Sequence, residues 1–561
     1  MKYDMVLLHA PSVYDFRGRD DVLFAYLNTS ATVHVSSAFE MPPVGIISIK
    51  QHMEKCGLNV EYFNVASRML KDPEFDVDDF FKRFDADYVG IDLHWLAHAH
   101  GAIELARLYK SYHPNTKVMI GGIASSYYFR DLMEYDCVDY VVRGYDTLYP
   151  IEKLVEAKND PMKLKDVPNL CWKVGDETHF NDLAYTPKNY SAEIDWSKVF
   201  TPDRKGLTLH SELIPQAGCE YNCHWCAGSR SAFRRHMGTK KGVMPKTPEA
   251  LVKELESLRN AQTKGRQTVV MIDFWHQRKD MFRPAQDVLD SDKFGNIHYC
   301  LARLPTAEKV RSFGKRALLE LSPDSHDDVV AKASGRGHYT MQQMEDMLDQ
   351  TIDHIYAAEV YYMVGLSKQD EMSVWNTLDY CEHLLKKYQG KRVHPYIAPM
   401  VPFLDPGSDC YDFPEEHGYK IIHKSLEDHR QALVSLNWRD RLNYETNWLS
   451  RQQLLDLSYD VVRSLYVLKN KYGQLPTTFF EPAMQMIDET RAMIDMIDGL
   501  EKMPEGPAKE IVAADIKKRV LKYNEEQLKG VRSQQRPADL GFSAKQQWFD
   551  TEEAIDRVLA A

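Results

Sequence analysis

Residues 218–228, GCEYNCHWCAG, place Cys219, Cys223 and Cys226 on one short stretch with the spacing C-x3-C-x2-C. Three thiolates on one loop can hold three corners of a cubane 4Fe-4S cluster and leave the fourth iron open to another ligand. Structural zinc favours four closed ligands, commonly as paired C-x2–4-C units. His224 is the candidate fourth ligand, but it stands between two of the cysteines. A disulfide leaves one thiol over, and a C-x-x-C redox pair leaves Cys219 without a role. The iron–sulfur reading uses all three cysteines and gives the missing fourth a purpose; zinc and purely structural thiols stand as the alternatives.

On both sides of this loop the chain alternates strand and helix patterns. Upstream, MVLLHAP (5–11), NVEYFNVA (59–66), DYVGIDLHWL (87–96), KVMIGGIASS (117–126) and VDYVVRGY (138–145) read as short apolar strands. Helical patterns lie between them at VGIISIKQHMEKCG (44–57), 75–84 and AHGAIELARLYKSY (99–112). This order predicts an α/β, doubly wound, Rossmann-like parallel sheet over 1–158. Ligands of such sheets sit at the carboxyl ends of the strands, which carry HAPS, DLHWLAHAH, GGIASS and RGYD. Residues 159–204 read as a linker with a hairpin at CWKVGDETHF (171–180). A second α/β run covers 205–420, with strands at TVVMIDFW, HYCLARL, ALLELSP and EVYYMVGL. A mostly helical region, 421–561, follows, for example at SRQQLLDLSYDVVRSLYVLKNKYG (450–473).

Composition narrows the function. The 561 residues are 44% hydrophobic and 27% charged, with a net charge of −12. Those are ordinary globular proportions, and the acidic balance argues against general affinity for nucleic acid. No run approaches the ~18 apolar residues of a membrane span, and MKYDMVLLHAPSVYD reads as a strand rather than a signal peptide. The nine cysteines are scattered apart from the one loop, which argues against a disulfide framework and for a reducing cytoplasm.

Cys219, Cys223, Trp225 and Cys226 match C-x3-C-x-aromatic-C, and here the sequence resembles the radical S-adenosylmethionine (SAM) enzymes. The resemblance implies a partial (β/α)6 TIM-like barrel over 205–420, SAM chelated at the open iron, and a 5′-deoxyadenosyl radical. It also implies an external one-electron donor such as a flavodoxin or ferredoxin. ELSPDSHDDVVAKASGRGHYTMQQ (320–343) looks like the family's E-L-G-x-E-S stretch followed by N-R-G-Y-T. That register implies SAM contacts by Glu320, Asp324 and Ser325, with Arg336 and Gly337 on the R-G pair, and the resemblance makes Trp225 a further expected SAM contact. Asp273 in MIDFWHQ and Arg303 in LARLP fall where the family carries an acid and an arginine, although structural ion pairs would also place them there.

The N-terminal sheet resembles that of cobalamin-binding radical SAM proteins. The matching pieces are MPPVGIISIKQHMEKCG, YVGIDLHW, KVMIGGIASS and VDYVVRGYDTLYPIEKLVE, the last similar to D-Y-V-V-R-G-E-G-E with Tyr145 and Asp146 in place of Glu-Gly. The resemblance implies cobalamin contacts at His94, Gly121, Gly122, Ser125 and Gly144. The glycine pair lets a bulky ligand approach the backbone, or marks a tight turn. DLHWLA is similar to D-x-H-x-x-G, yet it ends the third strand and carries Ala97 for the glycine. Contact of the 92–98 loop with the corrin is therefore expected ahead of cobalt ligation by His94. Together the two modules imply methylation of an unactivated carbon of a small-molecule or lipid-type substrate by way of methylcobalamin. A radical cyclase, rearrangement or oxidation enzyme and a non-enzymatic cobalamin or redox sensor are the alternatives. A methylthiotransferase of transfer RNA would need three further N-terminal cysteines, an arrangement that Cys56, Cys137 and Cys171 do not resemble.

Overall fold

The computed structural model describes residues 2–25, 43–199, 210–261, 266–270, 278–399 and 404–532. The first sheet contains β1 (Lys2–His9), β2 (Val60–Asn64), β3 (Asp85–Asp92), β4 (Lys117–Gly121) and β5 (Tyr140–Val142), all parallel, then β6 (Leu170–Val174) and β7 (Glu177–Phe180). The order is β2-β1-β3-β4-β5-β6-β7. Met5 and Leu7 enter one buried cluster and Val6 and Leu8 the other, so both faces are covered and the strands read as continuous apolar runs. The order of successive strands reverses between β1 and β3, and that switch point is where an open α/β sheet offers its crevice. The stretch 159–204 does more than link: β6 pairs antiparallel with β5, Trp172 opposite Tyr140, so the hairpin extends the sheet. Helix Val44–Lys55 ends as its glycine signal predicts, with Gly57 at φ 88°.

The second sheet holds β8 (His210–Leu213), then, after a short antiparallel pair β9 (Gln216–Gly218) and β10 (Val243–Pro245), the strands β11 (Arg266–Val270), β12 (Phe294–Leu301), β13 (Ala317–Asp324), β14 (Ala357–Val364) and β15 (Val393–Pro399). β8 and β11–β15 are parallel and paired in chain order, with helices between them, as in an open six-stranded barrel. Asp273, expected near the end of β11, lies outside the described residues.

The C-terminal region is helical. Arg451–Lys471 lies on β15 and on helix Glu371–Lys387, and Thr477–Glu501 lies on Arg451–Lys471. Pro507–Arg532 then returns to the first domain, where Asn524 accepts from Phe24 N at 2.9 Å and donates to Val22 O at 2.6 Å. No helix among the described residues is long and apolar enough to cross a membrane.

Lys469 on this helical seam is 1% exposed, with Nζ 3.6 Å from the Tyr396 ring centroid. Burial pushes its pKa down to about 7. A base whose folded pKa lies below its unfolded value loses native stability as pH falls from the unfolded toward the folded value. Lys469→Met is therefore expected to raise the melting temperature more at pH 6.5 than at pH 9.5, the gain at low pH being up to about 4 kcal/mol. An equal shift at both pH values would contradict this.

Candidate active site

The cysteine loop leaves β9 through Gly218, whose φ is 74° and whose missing Cβ makes room for the Gly242 carbonyl. Backbone amides then turn toward the thiols: Tyr221 N donates to Cys219 Sγ at 3.4 Å and Gly228 N to Cys226 Sγ at 3.3 Å. Burial, then Asp405, Cys223 and Cys219, drive the Cys226 thiol well above its ordinary pKa. Three thiols and a carboxylate this close resist ionising together unless a positive centre sits among them, which fits a metal cluster. His224 does not join them. Its Nδ1 lies 3.1 Å from Ala333 O and its ring rests on His417, so the fourth-ligand zinc reading finds no support in this geometry.

The strand-end residues of the barrel gather at this loop. Asp324 closes β13 in a left-handed conformation, φ 64°, and accepts from Trp225 Nε1 at 3.1 Å and from Arg336 Nε at 3.0 Å. Burial works against the Arg336 charge, but Asp324 and the neighbouring thiols hold its pKa above the ordinary value. Arg336 Nη1 is buried with no hydrogen-bond partner among the described residues. An orphaned guanidinium donor calls for an anionic group, such as the carboxylate of an amino-acid ligand. Arg336, Ser325, Ser322, His338 and Tyr339 line a narrow cleft, and Arg303 stacks on the Tyr221 ring at 4.9 Å. Glu320 goes elsewhere: it lies four residues before the strand end, with Oε2 3.1 Å from His298 Nε2 and accepting from Cys300 Sγ at 3.3 Å.

Two supports had no clear sequence signal. Gly335, at φ 78°, abuts the Asn222 carbonyl immediately before Cys223, so a Cβ there would collide with the loop backbone. Gly335→Ala is expected to lower iron incorporation several-fold on reconstitution, beyond the ~1–2 kcal/mol of left-handed strain alone. Gly473→Ala, at φ 76° with nothing within 4 Å, carries the strain without the collision and should load normally. Equal loading of both variants would refute the wedge. Asp409 is the second support, accepting from Asn222 Nδ2, Ser231 Oγ and Arg235 Nη1 at 3.1, 2.9 and 2.7 Å.

At the switch point of the first sheet, His9 Nδ1 lies 3.0 Å from both Asp92 carboxylate oxygens, and the His98 ring is 5.0 Å from that of His9. Asp92 is thus spent on His9 rather than on His94. Gly101 holds the preceding loop close: its N donates to Ser12 O at 3.1 Å, and a Cβ would run into the Pro11 carbonyl. Gly122, at φ 128°, is required by the protein itself, because a Cβ would come within 2.6 Å of His94 N. Gly121 has only ordinary contacts, so its bareness leaves space at the strand end. Ser125 donates to Gly122 O at 2.9 Å and closes the turn, while Gly144, at φ 98°, donates its N to Ser126 Oγ at 2.9 Å. The departure at Tyr145 and Asp146 has a structural meaning. Asp146 accepts from Ser191 N at 2.7 Å and from Ser191 Oγ. The Tyr145 ring lies 6.2 Å from His94, 5.5 Å from Tyr190 and 5.3 Å from Phe233. Phe233 belongs to helix Arg230–His236, which directly follows the cysteine loop. One tyrosine therefore bridges the carboxyl end of the first sheet and the cysteine loop of the second.

Known proteins with this arrangement decide the fold. The B12 binding domain family model matches residues 31–149. A radical S-adenosylmethionine methyltransferase, TsrM from Kitasatospora setae, solved with cobalamin and a 4Fe-4S cluster bound, superposes with a TM-score of 0.55. It is 13% identical, and the match covers 87% of this chain and 99% of that one. The chain has the fold of the cobalamin-dependent radical SAM enzymes. A second such structure, the cobalamin-dependent S-adenosylmethionine radical enzyme OxsB with aqua-cobalamin and S-adenosylmethionine bound, has a TM-score of 0.52 at 11% identity, over 98% of this chain and 83% of that one. No curated protein sequence matches the chain. Strands β2 to β5 of the first sheet lie within the stretch that the B12 binding domain model matches.

Proposed function

We propose that the chain is a cobalamin-dependent radical SAM enzyme that methylates an unactivated carbon of a small-molecule or lipid-type substrate. The observation that carries this reading is the His94–Tyr145–Phe233 contact, which puts the carboxyl end of the first sheet against the helix leaving the cysteine loop. Cys219, Cys223 and Cys226 would hold the 4Fe-4S cluster. The cleft beside Arg336 and Ser325 would take SAM, and the strand ends at Gly121 and the 92–98 loop would take cobalamin. When bound, these groups supply one-electron hydrogen-atom abstraction and a transferable methyl group.

The chain's own residues set the conditions. Arg336 offers its orphaned Nη1 to a carboxylate, and Asp324 fixes the angle of that guanidinium. Trp225, anchored on the same Asp324 oxygen, holds the loop at one distance from the barrel rim. Tyr145, Tyr190 and Phe233 pack ring against ring between the two sheets. Electrons would come from an external one-electron carrier.

The test is anaerobic reconstitution with iron, sulfide and cobalamin, then reaction with methyl-labelled SAM, a reductant and candidate substrates. Label in the product together with deoxyadenosine is the expected result. Deoxyadenosine with an altered but unlabelled product would replace methylation by cyclisation or rearrangement.

A further inference from the structure

The concave side of the barrel carries a polar row that the cluster and SAM site do not use. Strand register sets Cys300 beside Glu320, Glu320 beside Glu359 and Glu359 beside His394. Their alternating neighbours Tyr299, Leu301, Leu319, Leu321, Ala358 and Val360 enter the core beneath the helices, so the polar row and His298, two residues before Cys300, face the other way. His298 Nε2, Cys300 Sγ and a Glu320 carboxylate oxygen lie within 4.8 Å of one another.

Two features separate this triad from an ordinary hydrogen-bonded trio. First, His298 is 3% exposed, yet among the described residues its Nε2 makes no hydrogen bond, although Glu320 Oε2 is 3.1 Å away. The carboxylate therefore lies off the N–H direction, and the buried ring nitrogen stays unbonded within reach of both other groups. Second, the spacing suits a shared ion. Bonds of ~2.0–2.2 Å to nitrogen and oxygen and ~2.3 Å to sulfur, at tetrahedral angles, put ligand atoms roughly 3.3–3.6 Å apart. The observed separations to Glu320 Oε2 are 3.1 Å from His298 Nε2 and 3.3 Å from Cys300 Sγ. Charge is compatible with this, since a dication with one thiolate and one carboxylate is neutral.

We propose that His298, Cys300 and Glu320 form a three-ligand site for a divalent cation, zinc by donor type, whose fourth position opens to the concave face of the barrel. One nitrogen, one sulfur and one oxygen donor match borderline zinc rather than magnesium or calcium. Glu359, with a carboxylate oxygen 4.0 Å from His298 Nε2, stands as the outer partner. An open position there suits an oxygen or nitrogen atom of a substrate, held below the rim where Asp324 and Arg336 sit. The site is independent of the cluster cysteines and of the corrin reading.

The measurement is zinc content and zinc K-edge absorption of the reconstituted holoenzyme after exposure to zinc and desalting. One retained equivalent with a single sulfur neighbour is expected. Cys300→Ser, which preserves shape, should remove that sulfur signal, and His298→Ala should weaken zinc retention by roughly tenfold or more. Loss of retained zinc on desalting, a three-sulfur shell that places the metal on the cluster cysteines, or zinc unchanged in both variants would overturn the site. Iron content read in the same samples reports separately on the cluster.

Discussion

Cys223→Ala is expected to abolish reductive SAM cleavage while leaving the chain folded. Cys223 is 6% exposed and is the middle thiol of the loop. Its neighbours hold the loop through contacts that do not involve its sulfur: Asn222 bonds to Asp409 and Ser231, and His224 N donates to Ser334 O at 3.0 Å. Alanine keeps the backbone and Cβ, so the structural cost is that of one buried sulfur, of order 1 kcal/mol. The chemical cost is far larger, because two thiolates cannot retain a cluster that needs three. Deoxyadenosine formation should fall to background and iron content should collapse, with the melting profile close to wild type. A variant that still cleaves SAM reductively would remove the cluster assignment.

The second large effect is at Asp324. Its carboxylate is 1% exposed and serves two donors, Trp225 Nε1 and Arg336 Nε, on one oxygen. Asp324→Ala strands a buried guanidinium, a change that typically costs about 3–5 kcal/mol. It also forces a side chain other than Asp or Asn into φ 64°. Asp324→Asn keeps the left-handed backbone and an acceptor for Trp225 but removes the charge facing Arg336. The alanine variant is expected to lose much of the barrel's stability and its cluster, and the asparagine variant to fold while binding SAM more weakly. Differential scanning calorimetry and SAM titration separate the two. Wild-type stability in Asp324→Ala would mean that the ion pair carries no load.

Much of this was legible because it is local. Hydrophobic runs of strand length, the Gly57 stop and the cysteine spacing each depend on residues within a few positions. The features that sequence reading missed depend on partners far apart in the chain. His9 and Asp92 meet across 83 residues, and nothing in HAPS marks His9 as the partner that draws Asp92 away from His94. Gly335 and Gly101 are glycines because of the Asn222 and Pro11 carbonyls, surfaces that exist only after folding. The hairpin at 171–180 is recognisable as a hairpin, but its pairing with β5 is a tertiary choice. Glu320 shows the limit of motif register: the matched stretch fixes its place in β13, while strand pairing with Cys300 and Glu359 turns it into the barrel beside His298.

The central claim is that the two ligand faces meet across Tyr145. Electron paramagnetic resonance of the reconstituted holoenzyme tests it most directly, with cobalamin in the cob(II)alamin state and the cluster reduced in the same sample. A cob(II)alamin signal broadened by dipolar coupling to the reduced cluster is expected. Spectra that are the plain sum of two isolated centres would contradict it.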